Sequence, residues 1–365
     1  LEKPLNMNKN SREQSYQMPP EWHPHAGTQL HWPHNRETWP GDRLQRVEKV
    51  YLNIIEVLHR YESIHLFVND EKVKKRVLNL LETHGINLQN LTFHLQPTDD
   101  VWARDCGPIF VRREINGTEE FAITDWDYNA WGGKYPSFEA DNNLPAYIAK
   151  KYNINRFEPE MVLEGGAIET NGKGVLITTE SVLLNQNRNP GLSKNEIEQR
   201  LKNYLGVKKI IWLKRGLAGD DTDGHVDDLS RFLNADTILT MICKDQNDIN
   251  YDALQENVEI LRNATDQYGH FFKIETLPLP QTKIEGTTVD GSRHVPASYA
   301  NFYIANGVVI VPTYNSEYDR QAIRMLEQYF PDRDVTGIPA ADLVWGQGSI
   351  HCITREWYGS LNQVD

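Results

Sequence analysis

Short β-rich runs alternate with amphipathic helical stretches along the whole chain, and no segment rich in Pro, Gly or Ser divides them. This alternation limits the possible folds more than any other feature, because strand and helix repeating in turn predicts sheets covered by helices. Helices are predicted over 42–60, 70–84, 142–153, 193–205, 251–268 and 317–330. In the first, Leu44, Val47, Val50, Tyr51, Ile54, Ile55 and Leu58 form one apolar stripe at helical spacing. The fourth opens on Ser193 with Glu196 three residues on, a capping-box pattern. Strands are predicted over 64–68, 92–95, 108–112, 121–126, 174–178, 209–213, 237–242, 271–277, 301–305 and 308–312. Asn171-Gly172 and Asn306-Gly307 read as hairpin turns. The spacing suggests about five units, each of strands plus a helix, without a letter-by-letter repeat. No Gly-rich turn joins a first strand to its helix, so an open dinucleotide-binding sheet is disfavoured and a closed α/β assembly fits better.

The 365 residues could fill two or three domains, but a closed single-domain architecture also reaches this size. With 38 Lys+Arg against 51 Asp+Glu the formal charge is −13, and without a basic patch nucleic acid is not an expected partner. An acidic field favours a cationic ligand, though it is also ordinary for a cytosolic protein. The three cysteines, Cys106, Cys243 and Cys352, are too few and too odd for a disulfide framework and point to a reducing, cytoplasmic location. No apolar run approaches the roughly 18 residues of a membrane span and no signal-peptide pattern is seen, so no membrane partner is expected. The Asn-x-Thr sequons at Asn90, Asn116 and Asn263 are therefore read as incidental.

Chemistry concentrates in two distant segments, Gly348-Ser349-Ile350-His351-Cys352 and Asp220-Asp221-Thr222-Asp223-Gly224-His225-Val226-Asp227-Asp228. Small residues ahead of Cys352 let backbone approach a ligand closely. A thiolate is a strong nucleophile only where a cation or base lowers its pKa, and a buried structural cysteine is the commoner fate. Cys243 ends an apolar strand and reads as core. His351 adjoins Cys352, and neighbours in an extended segment face opposite ways, so His225 is the better partner. In an extended loop Asp221, Asp223, His225 and Asp227 share one face. The alternatives for this loop are a solvated acidic turn or a divalent metal site. The EF-hand pattern fails at Gly219 and Ser230, and no His-Glu-x-x-His or Cys-x-x-Cys occurs, so a metal is not expected.

Two further carboxylates lie beside glycine at strand ends: Asp105 in Trp102-Ala103-Arg104-Asp105-Cys106-Gly107-Pro108, and Glu164 in Leu163-Glu164-Gly165-Gly166. Asp105 could instead pair structurally with Arg104, and Glu164 could be a plain loop carboxylate. Together these pieces suit a guanidinium, which is planar, stays charged and offers five N–H donors to carboxylates. Its carbon is a poor electrophile, so a thiolate must attack while carboxylates fix the plane and a histidine protonates departing ammonia.

The chain resembles agmatine deiminase and the wider bacterial peptidyl-arginine deiminase-like family of guanidino-group-modifying enzymes. The matching stretches include Met18–Trp22 with Pro24-His25, Trp102–Pro108, Asp125-Trp126 with Asn129–Gly133, and Leu163–Gly166. They continue with Thr178–Glu180, Arg188–Pro190 with Leu192–Lys194, Gly224–Asp227, Ala300–Pro312 and Ile350–Thr354. The resemblance implies a single-domain, five-bladed pseudo-symmetric α/β propeller (pentein-type) spanning 18–358, with an extension over 1–17 and a tail over 359–365. It implies Cys352 as nucleophile, His225 as acid and base, and Asp105 and Asp227 as the guanidinium grip. Glu164 would orient the substrate and assist proton transfer, through an S-alkylamidino cysteine and without metal or organic cofactor. Agmatine and a homodimer are the implied substrate and assembly.

The family usually reads Asn where Asp223, Asp228 and Ser349 stand here, which touches the tail pocket rather than the catalytic groups. Asp223 could favour an amine tail or be a structural difference. Gly348 is a further candidate contact. Trp102 and Trp131 could pack the alkyl chain, meet a cation by a ring face, or fill core. The competing readings are a deiminase of free or peptidyl arginine, an amidinotransferase, a metal-dependent hydrolase, and a non-catalytic guanidino binder.

Overall fold

The computed structural model describes residues 11, 15–282, 287, 288 and 290–361. Its strands are β1 (Gly27–His31), β2 (Ile64–Val68), β3 (Leu91–Leu95), β4 (Ile109–Ile115), β5 (Thr118–Thr124), β6 (Asn155–Phe157), β7 (Ile168–Thr170) and β8 (Val175–Thr179). They continue with β9 (Lys209–Leu213), β10 (Ser230–Asn234), β11 (Thr237–Ile242), β12 (Lys273–Pro278), β13 (Tyr303–Ile304), β14 (Val308–Thr313), β15 (Asp334–Pro339) and β16 (Arg355–Trp357). Among the described residues they form five sheets.

Four sheets share one plan, β4-β5-β6, β7-β8-β9, β10-β11-β12 and β13-β14-β15. A first strand pairs antiparallel with the second, and the second pairs parallel with the third. A parallel partner needs a crossover, and each unit supplies one helix for it: Leu144–Tyr152, Lys194–Leu205, Tyr251–Asn263 and Asp319–Tyr329. The fifth sheet, β16-β1-β2-β3, follows the plan with its first strand taken from far along the chain. β16 pairs antiparallel with β1 (Gly27 opposite Trp357, Gln29 opposite Arg355), and β1 pairs parallel with β2 across the helix Arg43–Leu58. An extra helix, Glu71–Thr83, then leads to β3. Five ββαβ units of an α/β propeller result, the first completed by the last strand.

Three second strands are buried because helix covers one side and neighbouring units the other: β8 throughout, and β11 and β14 at every residue but the last, whereas β5 is exposed over its first three residues. First strands are sheet edges, yet β7 and β16 are buried throughout and β10 at all but its last residue. They face the centre. Arg231 on β10 shows this, reaching Glu169 on β7 at 2.9 Å and the carbonyl of Phe302 in the next unit at 2.8 Å.

The predicted helix over 251–268 ends at Asn263. Beyond it the Asp266 side chain accepts the N–H of Tyr268 and of His270, and this local turn replaces helix. The turn at Asn171-Gly172 is present as a four-residue loop between β7 and β8. The two-residue turn with both residues at positive φ is Asn116-Gly117 (φ +53° and +77°) between β4 and β5. Asn306-Gly307 also joins two strands, but neither residue has positive φ. There the Asn306 side chain bonds the backbone of His25 in both directions, so tertiary contacts set the turn.

Within the extension expected over 1–17, Tyr16 is buried and Gln17 bridges to Arg112, while 1–10 and 12–14 lie outside the described residues, as do 362–365 of the tail. Among the described residues no helix is long and apolar enough to cross a membrane.

Candidate active site

The turns just ahead of four of the five first strands bring the expected site residues together. Asp105 lies four residues before Ile109, Glu164 four before Ile168, Asp227 three before Ser230, and Cys352 three before Arg355. Three of these turns are short helical pieces, Ala103–Cys106, Gly165–Ala167 and Val226–Asp228, which pack on one another at the centre.

Gly166 marks the meeting point. A Cβ placed there would lie 2.6 Å from His225 Nδ1, 2.8 Å from Asp105 Oδ1 and 3.1 Å from Asp227 Oδ2. Only a residue without a side chain allows that approach. His225 Nδ1 and Asp105 Oδ1 are 3.6 Å apart, and the Cys352 sulfur lies within 4.8 Å of a carboxylate oxygen of Asp227 and of Asp228. All of these groups are buried.

Each carboxylate is held at one oxygen or both. Trp131 Nε1 donates to Asp105 Oδ2 at 3.0 Å and the N–H of Gly166 donates to Oδ1 at 3.1 Å. Arg188 Nε donates to Glu164 Oε1. Asp227 Oδ2 meets His351 Nδ1 at 2.6 Å. Glu164 Oε2, Asp227 Oδ1 and His225 Nε2 are buried without a hydrogen-bond partner. Such atoms are costly unless a ligand satisfies them.

The electrostatics follow from this crowding. Burial pushes Asp105 up to about 6 against the charge of His225, with Asp227 and Glu164 adding to the rise and the Trp131 bond opposing it. Burial pushes His225 down, but Asp105, Glu164, Asp227 and Asp220 outweigh it and hold the imidazole above its ordinary value. For Asp227 burial acts upward, yet the bond to and charge of His351 leave it below the usual carboxylate range. Burial, then Asp227, Asp228 and Asp105, push the Cys352 thiol well up, so it is neutral in the free protein.

His351 faces away from the sulfur, with Nδ1 on Asp227 and Nε2 on Glu21 at 2.7 Å. Arg104 pairs with Glu21 (3.1 Å) and Glu356 (2.8 Å), not with Asp105. The segment 220–228 is not the extended strand that would align Asp221, Asp223, His225 and Asp227. Asp220 Oδ1 accepts from the N–H of Thr222 and Oδ2 from that of His225, and positive φ at Asp223 (+72°) and Gly224 (+113°) turns the chain. His225 and Asp227 point inward. Asp221 bonds the Tyr135 hydroxyl, and Asp223 is engaged by Lys134, Asn187 and Arg188. Cys243 is only partly buried and Cys106 donates to the Trp102 carbonyl at 3.3 Å.

A cavity of about 680 Å³ opens onto Asp105 and Cys352. Trp102, Trp131, Tyr135 and Phe138 supply apolar wall, and Gly348 lies against Trp102, where a Cβ would meet the ring at 2.2 Å. Glu37, Asp99, Asp100, Asp105 and Asp221 line it against Arg36, so its field favours a cation, while burial pushes the Asp141 carboxyl on the same wall well up and takes it out of that count. Asp223 is not on this wall. Trp131 is aimed by a left-handed turn, with φ of +51° at Ala130 and +54° at Trp131. That conformation costs roughly 1–2 kcal/mol per non-glycine residue. Asn129 holds it, its side chain accepting from the N–H of Gly132 at 2.8 Å.

Glu21, Arg188 and Asn301 were not among the expected site residues. Glu21 sits in Met18-Pro19-Pro20-Glu21-Trp22, which reads as a surface turn, and Asn301 opens an apolar run.

A five-unit α/β propeller with thiol, imidazole and carboxylates at its centre defines a cysteine-dependent guanidino-modifying enzyme of the pentein type, a hydrolase of amidine C–N bonds. The model of the Porphyromonas-type peptidyl-arginine deiminase family matches residues 17–357, and the chain belongs to that family. It is 37% identical over 366 residues to the agmatine deiminase of Medicago truncatula (93% of this chain, 96% of that protein). A Legionella pneumophila relative, described only as a candidate agmatine deiminase, is 39% identical over 355 residues (96% and 97%). The solved agmatine deiminase of Enterococcus faecalis superposes with a TM-score of 0.87 at 31% identity, covering 96% of this chain and 98% of that one.

Proposed function

We propose that the chain hydrolyses agmatine to N-carbamoylputrescine and ammonia through a covalent cysteine intermediate. The observation that carries this is the group of unpartnered acceptors on Glu164 and Asp227, set with Asp105 around Gly166 beside the Cys352 sulfur. A guanidinium seated there offers its N–H groups to three carboxylates, with its carbon open to sulfur.

The substrate brings its own positive charge. It offsets the carboxylate charges that hold the thiol proton on Cys352, and so favours the thiolate as it binds. Sulfur attacks the guanidinium carbon, and the resulting tetrahedral centre expels ammonia, which takes its proton from His225. Water, deprotonated by His225, then attacks the S-alkylamidino carbon. Collapse breaks the C–S bond, releasing the ureido product and returning the proton to the site. Arg188 and Trp131 keep Glu164 and Asp105 fixed throughout.

The acidic cavity wall supports an amine tail over the carboxylate of free arginine. Incubation with agmatine, arginine and a blocked arginyl peptide, read by product mass and ammonia release, tests the assignment. Turnover of either arginine substrate with none of agmatine overturns it. Cys352→Ser should abolish turnover, and retained turnover rejects the mechanism. We also propose a homodimer, checked by light scattering, and a cytoplasmic location, in keeping with three free cysteines.

A further inference from the structure

The residues assigned above come from four of the five units. The unit β13-β14-β15 contributes none of them, although its chain enters the centre by the same route. The corresponding position is the turn ahead of β13, and the residue there is Asn301, two before Tyr303 and fully buried.

Its contacts are directed at the nucleophile. Asn301 Oδ1 accepts from the N–H of His351 at 2.8 Å and of Cys352 at 3.3 Å. Both are backbone donors that cannot change role, so the atom facing them must be the oxygen, and the orientation of the amide is fixed by chemistry. The nitrogen therefore faces the other way. Nδ2 lies 2.9 Å from Asp228 Oδ1 and 3.2 Å from the Cys352 sulfur, one hydrogen for each. The sulfur is also 3.5 Å from Oδ1, within reach as a weak donor.

We infer that Asn301 is a catalytic residue supplied by the fifth unit, whose amide serves Cys352 in both protonation states, accepting from the thiol and donating to the thiolate. Asp228 occupies the second N–H and so keeps the first aimed at sulfur. When the thiol loses its proton, no side chain has to rotate: the donor is already in place, as in an oxyanion hole. A purely structural Asn301 would tie the 349–352 turn to the core through Oδ1 alone and would have no use for an N–H on sulfur. The inference rests on Cys352 being the nucleophile, but not on agmatine being the substrate.

The test is the reactivity of the thiol itself. Alkylation of Cys352 by iodoacetamide is followed across pH in the whole protein, with peptide mass spectrometry separating it from Cys106 and Cys243. Asn301→Ala removes the donor, and Asn301→Asp puts an acceptor in its place at nearly the same size. A hydrogen bond to a charged group corresponds to roughly ten- to hundred-fold, so the alkylation limb should move up by about one unit or more. Agmatine turnover should fall in kcat by a similar factor, with KM within about threefold. Folded variants whose alkylation profile superimposes on that of the parent overturn the inference. Should Asn301→Asp fail to fold, Asn301→Ala and Asn301→Ser give the same readout. Because alkylation needs no substrate, a wrong substrate assignment leaves this result intact.

Discussion

At Asp105 binding and stability make opposite demands. Its carboxylate must be ionised to hold a cation, yet burial pushes it up to about 6. Acid should therefore weaken kcat/KM as pH falls through about 6, and a profile flat down to pH 5 contradicts the assigned role. Trp131→Phe removes the bond that favours the ionised form, and the acid limb should move up by as much as about one unit. The linkage to stability has the reverse sign. A carboxyl raised in the folded state above its ordinary 3.8 contributes stability below that value, and loses it as pH rises through about 6. Asp105→Asn is exempt from that loss. It should gain up to about 3 kcal/mol over the parent above pH 6, with no gain near pH 4, while losing activity. Thermal unfolding across that range checks it. Asp105, Glu164, His225, Asp227 and Cys352, which the fold gathers at the centre, stand out in the sequence because each sits in a glycine-flanked or charge-dense motif. Asn301 carries no charge and stands between Ala300 and Phe302, so only the repetition of the units reveals it.

The long helices and the outer strands β3, β9 and β12 were legible from their apolar faces, whereas the outer strands β6 and β15 were not. The strands that escaped prediction include β1, β10 and β16, and these carry Thr28, Gln29, Ser230, Arg231, Arg355 and Glu356 in full burial. Strands at the centre of a ring exchange hydrophobic alternation for buried polar contacts, so period-two patterning vanishes where the site is built. The hairpin β4-β5 shows a different blind spot: both strands were predicted, but Glu114, Glu119 and Glu120 flank the Asn-Gly turn and hide the three residues of each strand nearest to it. A Cβ added at Gly117 would meet nothing within 4 Å, so the role of this glycine is conformational alone. Gly117→Ala should cost about 1–2 kcal/mol and leave kcat untouched, as read by denaturant unfolding beside a rate assay.

On the scale of the molecule, the ring depends on β16. Trp357 stacks on His65 with centroids 4.1 Å apart and donates to Gln29 at 2.8 Å, joining β16 to the first unit. Trp357→Ala should lower stability by about 3–5 kcal/mol. Since Cys352 lies three residues ahead of β16, heating this variant should abolish activity before the far-UV signal of the other units is lost. Coincident loss of both signals would show that the seam is no weaker than the rest.

That seam also sets a schedule. Synthesis makes Asp105, Glu164, His225, Asp227 and Asn301 before Cys352, and the strand that zips the circle follows within a few residues. A chain made only that far thus has neither the reactive sulfur nor the strand that completes the first unit. The warhead and the fastener are neighbours in sequence, so the nucleophile is added together with the strand that shuts the molecule around it.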